Sequence, residues 1–211
     1  MIKAVLFDFG GVVTSSPFEA FARYETDNGL PADLIRTINS TNPDDNAWAK
    51  LERNDVDADG FARLFEAEAL TLGHNVDGHA VLDCLAGRVR PEMVAAIGAI
   101  KEAGLAVACL TNNFAPRSSE DQPRSGAAEA MALFDVVVES SVVGIRKPEP
   151  GFYSIALEQL GVDAAEAVFL DDLGINLKPA RAMGMTTIKV VDAAQALGEL
   201  SAVLGLSLDG A

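Results

Sequence analysis

A short apolar segment near the start of the chain stops abruptly at an acidic residue. Residues 2–7 read IKAVLF, and Asp8 follows directly, ahead of the pair Gly10 and Gly11. An almost continuously apolar run of this length is typical of a central strand in a parallel sheet, because helices cover both faces of such a sheet. We therefore predict that this segment is a buried strand that ends in a turn at Asp8.

Four further short apolar segments follow, and helical patterns separate them. These predicted strands are Leu105–Leu110, Phe134–Val138, Ala167–Leu170 and Thr186–Val191. Helices with one apolar face are predicted over Pro91–Ala103 and Gly151–Leu160, and a last helix is predicted to start at Asp192. Alternating strands and helices favour right-handed βαβ units. The sequence thus predicts an α/β fold, a Rossmann-like parallel sheet with helices on both faces.

Residues 15–90 interrupt this alternation with a long stretch that contains no convincing buried strand. Apolar residues at helical spacing occur there instead, at Phe18 and Phe21 and at Phe61, Leu64, Phe65 and Leu72. Structureless loops of this length are rare in compact domains. We predict a small helical cap over residues 15–90, inserted after the first strand, and a core formed by residues 1–14 and 91–211. The polar segment Ala115–Gly126 predicts a surface loop.

Charge and hydropathy exclude several classes of protein. The 211 residues include 16 Lys and Arg against 31 Asp and Glu, a formal net charge of −15. No basic cluster suits a nucleic-acid partner, and no apolar run approaches the roughly 20 residues needed to cross a membrane. The first apolar segment is too short for a secretion signal, so we expect a cytoplasmic protein. Whether it is a monomer or a homodimer is left open.

Polar side chains follow four of the five predicted strands. They are Asp8, the run Thr111-Asn112-Asn113, Lys147 in the segment GIRKPEP, and the pair Asp171-Asp172. In parallel α/β sheets, ligands bind at the carboxyl ends of the strands. We therefore expect three carboxylates, a hydroxyl group and an amine to meet at one edge of the sheet.

Such a group of side chains suits phosphate chemistry with magnesium. Carboxylates brought together repel each other unless a cation lies among them, and Mg²⁺ prefers oxygen ligands together with waters and a phosphate. A carboxylate beside the ion can attack phosphorus and form an aspartyl-phosphate. Thr111 would hold phosphate oxygens, and Lys147 would neutralise the developing charge. The predicted substrate is a small phosphorylated molecule.

The order of the motifs resembles a known superfamily. DFGGV, LTNN, GIRKPEP and FLDDLGINLKPARAMGM resemble, in sequence order, the four motifs of haloacid dehalogenase-like hydrolases. Residues 134–190 further resemble the N-terminal phosphatase domain of soluble epoxide hydrolases and the hydrolase-like N-terminal domain of some acyl-CoA dehydrogenases. The resemblance covers nearly the whole chain, including the position of the cap.

For the metal site, the resemblance implies four residues. Asp8 matches both the nucleophile and a magnesium ligand, and Gly10 matches the position whose backbone carbonyl binds the ion. Asp171 and Asp172 match the acidic pair at the metal, where Asp172 is the residue expected to touch it.

For the substrate, the resemblance implies that Thr111, Asn112, Asn113 and Lys147 bind phosphate. Lys147 matches the lysine that neutralises charge, so Asp8, Thr111 and Lys147 are the predicted catalytic residues. Asn176 would orient the acidic pair or Lys147.

Position 10 departs from the pattern of the superfamily's phosphatases, which carry a second Asp two residues after the nucleophile. Gly10 has no side chain to move a proton, and general acid–base catalysis is worth about 10²–10⁴ in rate. Two alternatives follow from this departure. One is a 2-haloacid-type dehalogenase, in which Asp8 attacks carbon, although dehalogenases typically work without magnesium. The other is a catalytically weak regulatory domain that binds phosphate.

Overall fold

Five parallel strands form one sheet in a computed structural model of the chain, which describes residues 1–85, 87–113 and 126–208. The strands are β1 (Ala4–Phe7), β2 (Ala106–Thr111), β3 (Val136–Glu139), β4 (Ala167–Asp171) and β5 (Thr186–Lys189). Their order across the sheet is β3-β2-β1-β4-β5. All five predicted strands are confirmed, with ends that differ by one or two residues. The loop predicted over 115–126 lies outside the described residues, except for Gly126.

Helices account for most of the other described residues. They are α1 (Phe18–Asp27), α2 (Leu34–Ser40), α3 (Ala47–Glu52), α4 (Ala58–Thr71), α5 (Gly78–Asp83), α6 (Pro91–Glu102), α7 (Ala127–Met131), α8 (Ser140–Val143), α9 (Pro150–Leu160), α10 (Gly174–Ala182) and α11 (Ala193–Leu204). The predicted start of the last helix is confirmed, since the Asp192 side chain accepts a hydrogen bond from the backbone N–H of Gln195 at 2.9 Å. None of the described helices has the length and apolar character to span a bilayer.

Both faces of the sheet are buried, because the side chains of β1 alternate between two cores. Val5 and Phe7 pack with α6 and α11 on one face. Ala4 and Leu6 pack with α9 and α10 on the other. This arrangement explains why β1 is apolar at consecutive positions.

The chain crosses from one side of β1 to the other. β1 pairs in parallel with β2 and with β4, and Phe7 lies opposite both Cys109 and Leu170. Such a reversal of strand order opens a crevice at the carboxyl end of the central strand, which is where ligands bind in open α/β sheets. Asp8 is the residue that follows β1 at this crevice.

Helices α1–α5, called the insertion below, have an apolar core of their own. It includes Phe21, Ile35, Phe61 and Phe65. Leu72, which was predicted to share the apolar face, directly follows the last residue of α4 and is 44% exposed.

The two connections between the insertion and the sheet run side by side. Thr14 forms an antiparallel bridge with Val89, and the Ser15 N–H donates to the Arg88 carbonyl at 2.8 Å. The chain therefore leaves the sheet after β1 and returns to α6 at the same place.

Candidate active site

Asp8 lies at the centre of the crevice, directly after β1. Its backbone N–H donates to the Leu170 carbonyl at 2.9 Å, which continues the pairing with β4. Its Oδ1 accepts from the Phe9 N–H at 2.7 Å and lies 2.7 Å from the Lys147 Nζ. Both contacts fall on Oδ1, so Oδ2 has no hydrogen bond to any residue that the structure describes. The second oxygen is therefore the one available to a ligand.

Lys147 is a fully buried cation held between two carboxylates. Its side chain is 1% exposed, and its Nζ lies 2.7 Å from Asp8 Oδ1 and 2.9 Å from Asp171 Oδ2. The ammonium group also lies 5.6 Å from the centre of the Phe169 ring. Burial alone would lower the pKa of Lys147, but the charges of Asp171 and Asp8 outweigh it and raise the pKa. The two carboxylates therefore favour the charged form of the lysine.

The two acidic residues after β4 have different surroundings. Asp171 is fully buried, and each of its oxygens accepts a hydrogen bond from Asn176 Nδ2, at 3.1 and 3.0 Å. Its Oδ1 also accepts from the Leu173 N–H, and its Oδ2 contacts Lys147. Asp172 is only partly buried, and no described side chain hydrogen-bonds its carboxylate. Asp171 is therefore committed to its neighbours, whereas Asp172 is free to bind a ligand.

The three carboxylates form one strongly negative group. Oxygens of Asp8, Asp171 and Asp172 all lie within 4.8 Å of one another. Burial raises the pKa of Asp8 well above its usual value; Lys147 opposes this effect, and Asp171 adds to it. Burial and the Asp171 charge raise the pKa of Asp172 to about 6. A divalent cation among these oxygens would relieve the repulsion, and hard oxygen donors are the ligands that Mg²⁺ prefers.

The two glycines after Asp8 differ in whether the backbone and its surroundings could accommodate a side chain. Gly11 has a φ of +79°, and a Cβ placed on it would lie 2.3 Å from Asp172 Oδ2. Gly10 has a φ of −70°, and a Cβ there would meet no atom within 4 Å. Only Gly11 is needed for the backbone to pass close to the acidic pair. The doubled glycine after Asp8 is the sequence signal for this requirement.

The residues after β2 have separate partners. Thr111 ends β2 and is 7% exposed. Asn112 Oδ1 accepts from the Lys147 N–H at 2.9 Å, and its Nδ2 donates to the Lys147 carbonyl at 3.0 Å. Asn112 therefore holds the backbone that carries the lysine.

Asn113 bonds to the region around α8. Its Nδ2 donates to Glu139 Oε1 at 2.5 Å, and its Oδ1 accepts from the backbone N–H and the hydroxyl of Ser141, at 3.2 and 2.9 Å. Both ends of this amide are occupied by protein. Of the three residues after β2 that were predicted to bind phosphate, Thr111 is the one whose side chain makes no hydrogen bond to a residue that the structure describes.

The insertion contributes charged groups that were not predicted from the sequence. Glu52, at the end of α3, forms an ion pair with Arg146, and its Oε2 accepts from Asn112 Nδ2 at 3.1 Å. The next residue, Arg53, lies 3.0 Å from Glu149. These contacts join segments about 60 to 96 positions apart in the chain. No local pattern could have indicated them.

Comparison with known sequences agrees with this geometry. The model of the haloacid dehalogenase-like hydrolase family matches residues 2–184. Acyl-CoA dehydrogenase family member 10 of Mus musculus is 35% identical over 98% of this chain, which covers 19% of that protein. Bifunctional epoxide hydrolase 2 of Mus musculus is 33% identical over 97% of this chain, which covers 39% of that protein. The chain thus spans well under half the length of these two relatives.

A third relative is similar along its whole length. A sesquiterpene phosphatase of Aspergillus oryzae is 31% identical over 96% of this chain and 97% of that protein. Among solved structures, a haloacid dehalogenase family enzyme of Bacteroides thetaiotaomicron, in complex with magnesium and inorganic phosphate, has a TM-score of 0.63 at 20% identity and covers 95% of this chain and 99% of that one. L-2-haloacid dehalogenase of Xanthobacter autotrophicus has a TM-score of 0.61 at 21% identity, over 96% and 83% of the two chains. These structures share the fold.

Substitution of the two glycines should separate their roles. Gly11→Ala should lower the free energy of unfolding by about 1–3 kcal/mol, because alanine is strained at positive φ and its Cβ meets the Asp172 carboxylate. Gly10→Ala is the matched control and should change it by less than about 0.5 kcal/mol. Urea unfolding followed by circular dichroism measures both. Equal losses in the two variants would contradict this assignment.

Proposed function

Because the chain belongs to the haloacid dehalogenase-like hydrolase family, we propose that it is a magnesium-dependent phosphatase that acts on a small phosphorylated molecule through Asp8. The observation that carries this proposal is the contact between the Asp8 carboxylate and the buried Lys147, with Asp172 beside them. Relatives named as phosphatases, among them a glyceraldehyde 3-phosphate phosphatase of Methanocaldococcus jannaschii at 28% identity, support the reaction class.

We propose that magnesium is held by Asp8, Asp172 and the Gly10 backbone carbonyl. Of the predicted acidic pair, Asp172 is the direct ligand, because every hydrogen bond described above for Asp171 leaves its oxygens directed at Lys147, Asn176 and Leu173. Asp171 then acts by holding Lys147. The bound ion would supply positive charge, which favours the ionised form of Asp8 and offsets the charge of the phosphate.

In the first half of the reaction, the Asp8 carboxylate attacks phosphorus. The bond from phosphorus to the leaving oxygen breaks, and an aspartyl-phosphate forms on Asp8. Lys147 remains protonated and neutralises the charge that develops at the reacting centre, and the Thr111 hydroxyl donates to a phosphate oxygen. In the second half, water attacks the same phosphorus, and inorganic phosphate and the free Asp8 carboxylate are released.

Gly10 has no side chain that could donate a proton to the leaving-group oxygen. Substrates with acidic leaving groups should therefore be cleaved almost as fast as with an acid present, whereas the cleavage of alkyl phosphates should be much slower. The backbone of Gly10 has a conformation that other residues adopt, and the space beside it is open. The missing acid is therefore a chemical feature of the site and is not required by the fold.

We propose that the insertion, as residues 15–90, is a cap that covers the core formed by residues 1–14 and 91–211. Its separate apolar core and its paired connections at Thr14 and Val89 support this division. Substrate preference would then depend on side chains of the cap that face the crevice.

Phosphate release from p-nitrophenyl phosphate tests the proposed reaction. The wild type should turn over with magnesium and lose activity with EDTA, and Asp8→Asn should lower kcat by about 10³-fold or more. This leaving group needs little protonation, so Gly10 does not mask the activity. Asp163→Asn, a change on the loop before β4, is the control. Magnesium-independent release of halide from 2-haloacids, without phosphate release, would instead favour the dehalogenase.

An acid at position 10 should improve the reaction of poor leaving groups. Gly10→Asp should raise kcat/KM for an alkyl phosphate by about 10-fold or more and change that for p-nitrophenyl phosphate by less than about threefold. Gly10→Asn is the matched control, since it fills the same space without a titratable proton. Equal gains on both substrates would show that the added side chain acts by binding.

The two acidic residues after β4 should differ in their effect on magnesium. Asp172→Asn should raise the magnesium concentration for half-maximal activity by about 10- to 100-fold. Asp171→Asn should lower kcat and change that concentration by less than about threefold, since its carboxylate holds Lys147. Titration of phosphate release with magnesium measures both constants. The reverse pattern would assign the metal to Asp171.

A further inference from the structure

The insertion reaches the loop that carries Lys147 through two consecutive charged residues. Glu52 pairs with Arg146, which precedes the lysine, and Arg53 pairs with Glu149, which follows it. The insertion contributes the acidic residue to one ion pair and the basic residue to the other. A shift of the two segments by one position would therefore bring like charges together. A helix of the insertion therefore contacts both sides of the residue that holds Asp8 in place.

Glu52 makes a second contact that Arg53 does not make. Its Oε2 accepts from Asn112 Nδ2 at 3.1 Å, while the same Nδ2 donates to the Lys147 carbonyl at 3.0 Å and Asn112 Oδ1 accepts from the Lys147 N–H at 2.9 Å. Both amide hydrogens of Asn112 are thus used. A continuous chain of contacts runs from the insertion through Asn112 to Lys147.

The Glu52 carboxylate reinforces the orientation of the Asn112 amide that the Lys147 backbone N–H and carbonyl require. A carboxylate only accepts hydrogen bonds, so it requires the NH₂ group on its side. With the amide reversed, its oxygen would face both Glu52 and the Lys147 carbonyl, and its NH₂ would face the Lys147 N–H. All three contacts would then be lost together. The Glu52 and Arg146 side chains are only 17% and 12% exposed, so water compensates poorly for such a loss.

We propose that Glu52 is a positioning residue of the reaction, through which the insertion orients Asn112 and thereby sets the position of Lys147. The inference rests on the proposed function, because it concerns the lysine of that site. Its consequence is that the site is fully assembled only when α3 of the insertion lies against the loop of Lys147. An error of about 1 Å in the position of a catalytic group costs about 10²-fold in rate.

Kinetics of p-nitrophenyl phosphate hydrolysis test the proposal. Glu52→Ala should lower kcat by about 10- to 100-fold and change KM by less than about threefold. Glu52→Gln keeps an acceptor for Asn112, so its kcat should be higher than that of Glu52→Ala. On a logarithmic scale, it should recover at least about half of the difference in kcat between Glu52→Ala and the wild type. The double variant Glu52→Ala with Asn112→Ala should be no slower than Asn112→Ala alone, because Glu52 acts through Asn112.

Arg53→Gln is the matched control. It removes the neighbouring ion pair between the same two segments and leaves the contacts of Asn112 intact, so kcat should stay within about twofold of the wild type. An equal loss of kcat in Arg53→Gln and Glu52→Ala would overturn the inference. If Glu52→Ala changes KM and leaves kcat unchanged, the inference is also overturned. The same holds if the loss of kcat in the double variant equals the product of the losses in the two single variants.

A second measurement separates this inference from the proposed function. A wild type that releases no phosphate would contradict the phosphatase, and urea unfolding of Glu52→Ala, Asn112→Ala and the double variant then decides the inference without a substrate. Non-additive losses of stability would support the link between the two residues. Additive losses would overturn it.

Discussion

A buried ammonium group among three carboxylates is the interaction on which the rest of this site depends. Lys147 is 1% exposed, and a charge in such a position is stable only if it is paired. Asp8 and Asp171 provide that pairing, one from each of two neighbouring strands. If all three carboxylates are ionised, one lysine leaves two negative charges uncompensated. A divalent cation at the proposed magnesium site would balance these two negative charges.

The fold brings these groups together by a reversal of strand order. β2 pairs with one side of β1 and β4 with the other, so the residues that follow three strands share a single crevice. Thr111 and Asp171 end the flanking strands, and Asp8 lies between them. Lys147 comes from the loop between α8 and α9, and the Asn112 side chain hydrogen-bonds its backbone N–H and carbonyl. The sheet thus supplies the carboxylates and a hydrogen-bonded loop supplies the cation.

The sequence was sufficient for those features that repeat along the chain. Apolar runs predicted all five strands, and the polar residues at their ends predicted that Asp8, Asp171 and Lys147 meet. The sequence pattern could not indicate which hydrogen-bond partners the polar side chains have. Asn112 and Asn113 are adjacent and of the same type, yet one holds Lys147 and the other bonds to Ser141. The contacts of Glu52 depend on how the insertion packs on the sheet, which has no local signature.

The two glycines after Asp8 have different consequences, one for the backbone conformation and the other for the chemistry of the site. Gly11 permits the chain to turn beneath the carboxylate of Asp172, and a side chain there would collide with it. Gly10 meets no such limit, so its lack of a side chain affects proton transfer more than folding. If Asp8 is the nucleophile as proposed, a site with a fixed cation but without an acid at this position would stabilise charge well and transfer protons poorly. Its selectivity should therefore follow the acidity of the leaving group as much as the shape of the substrate.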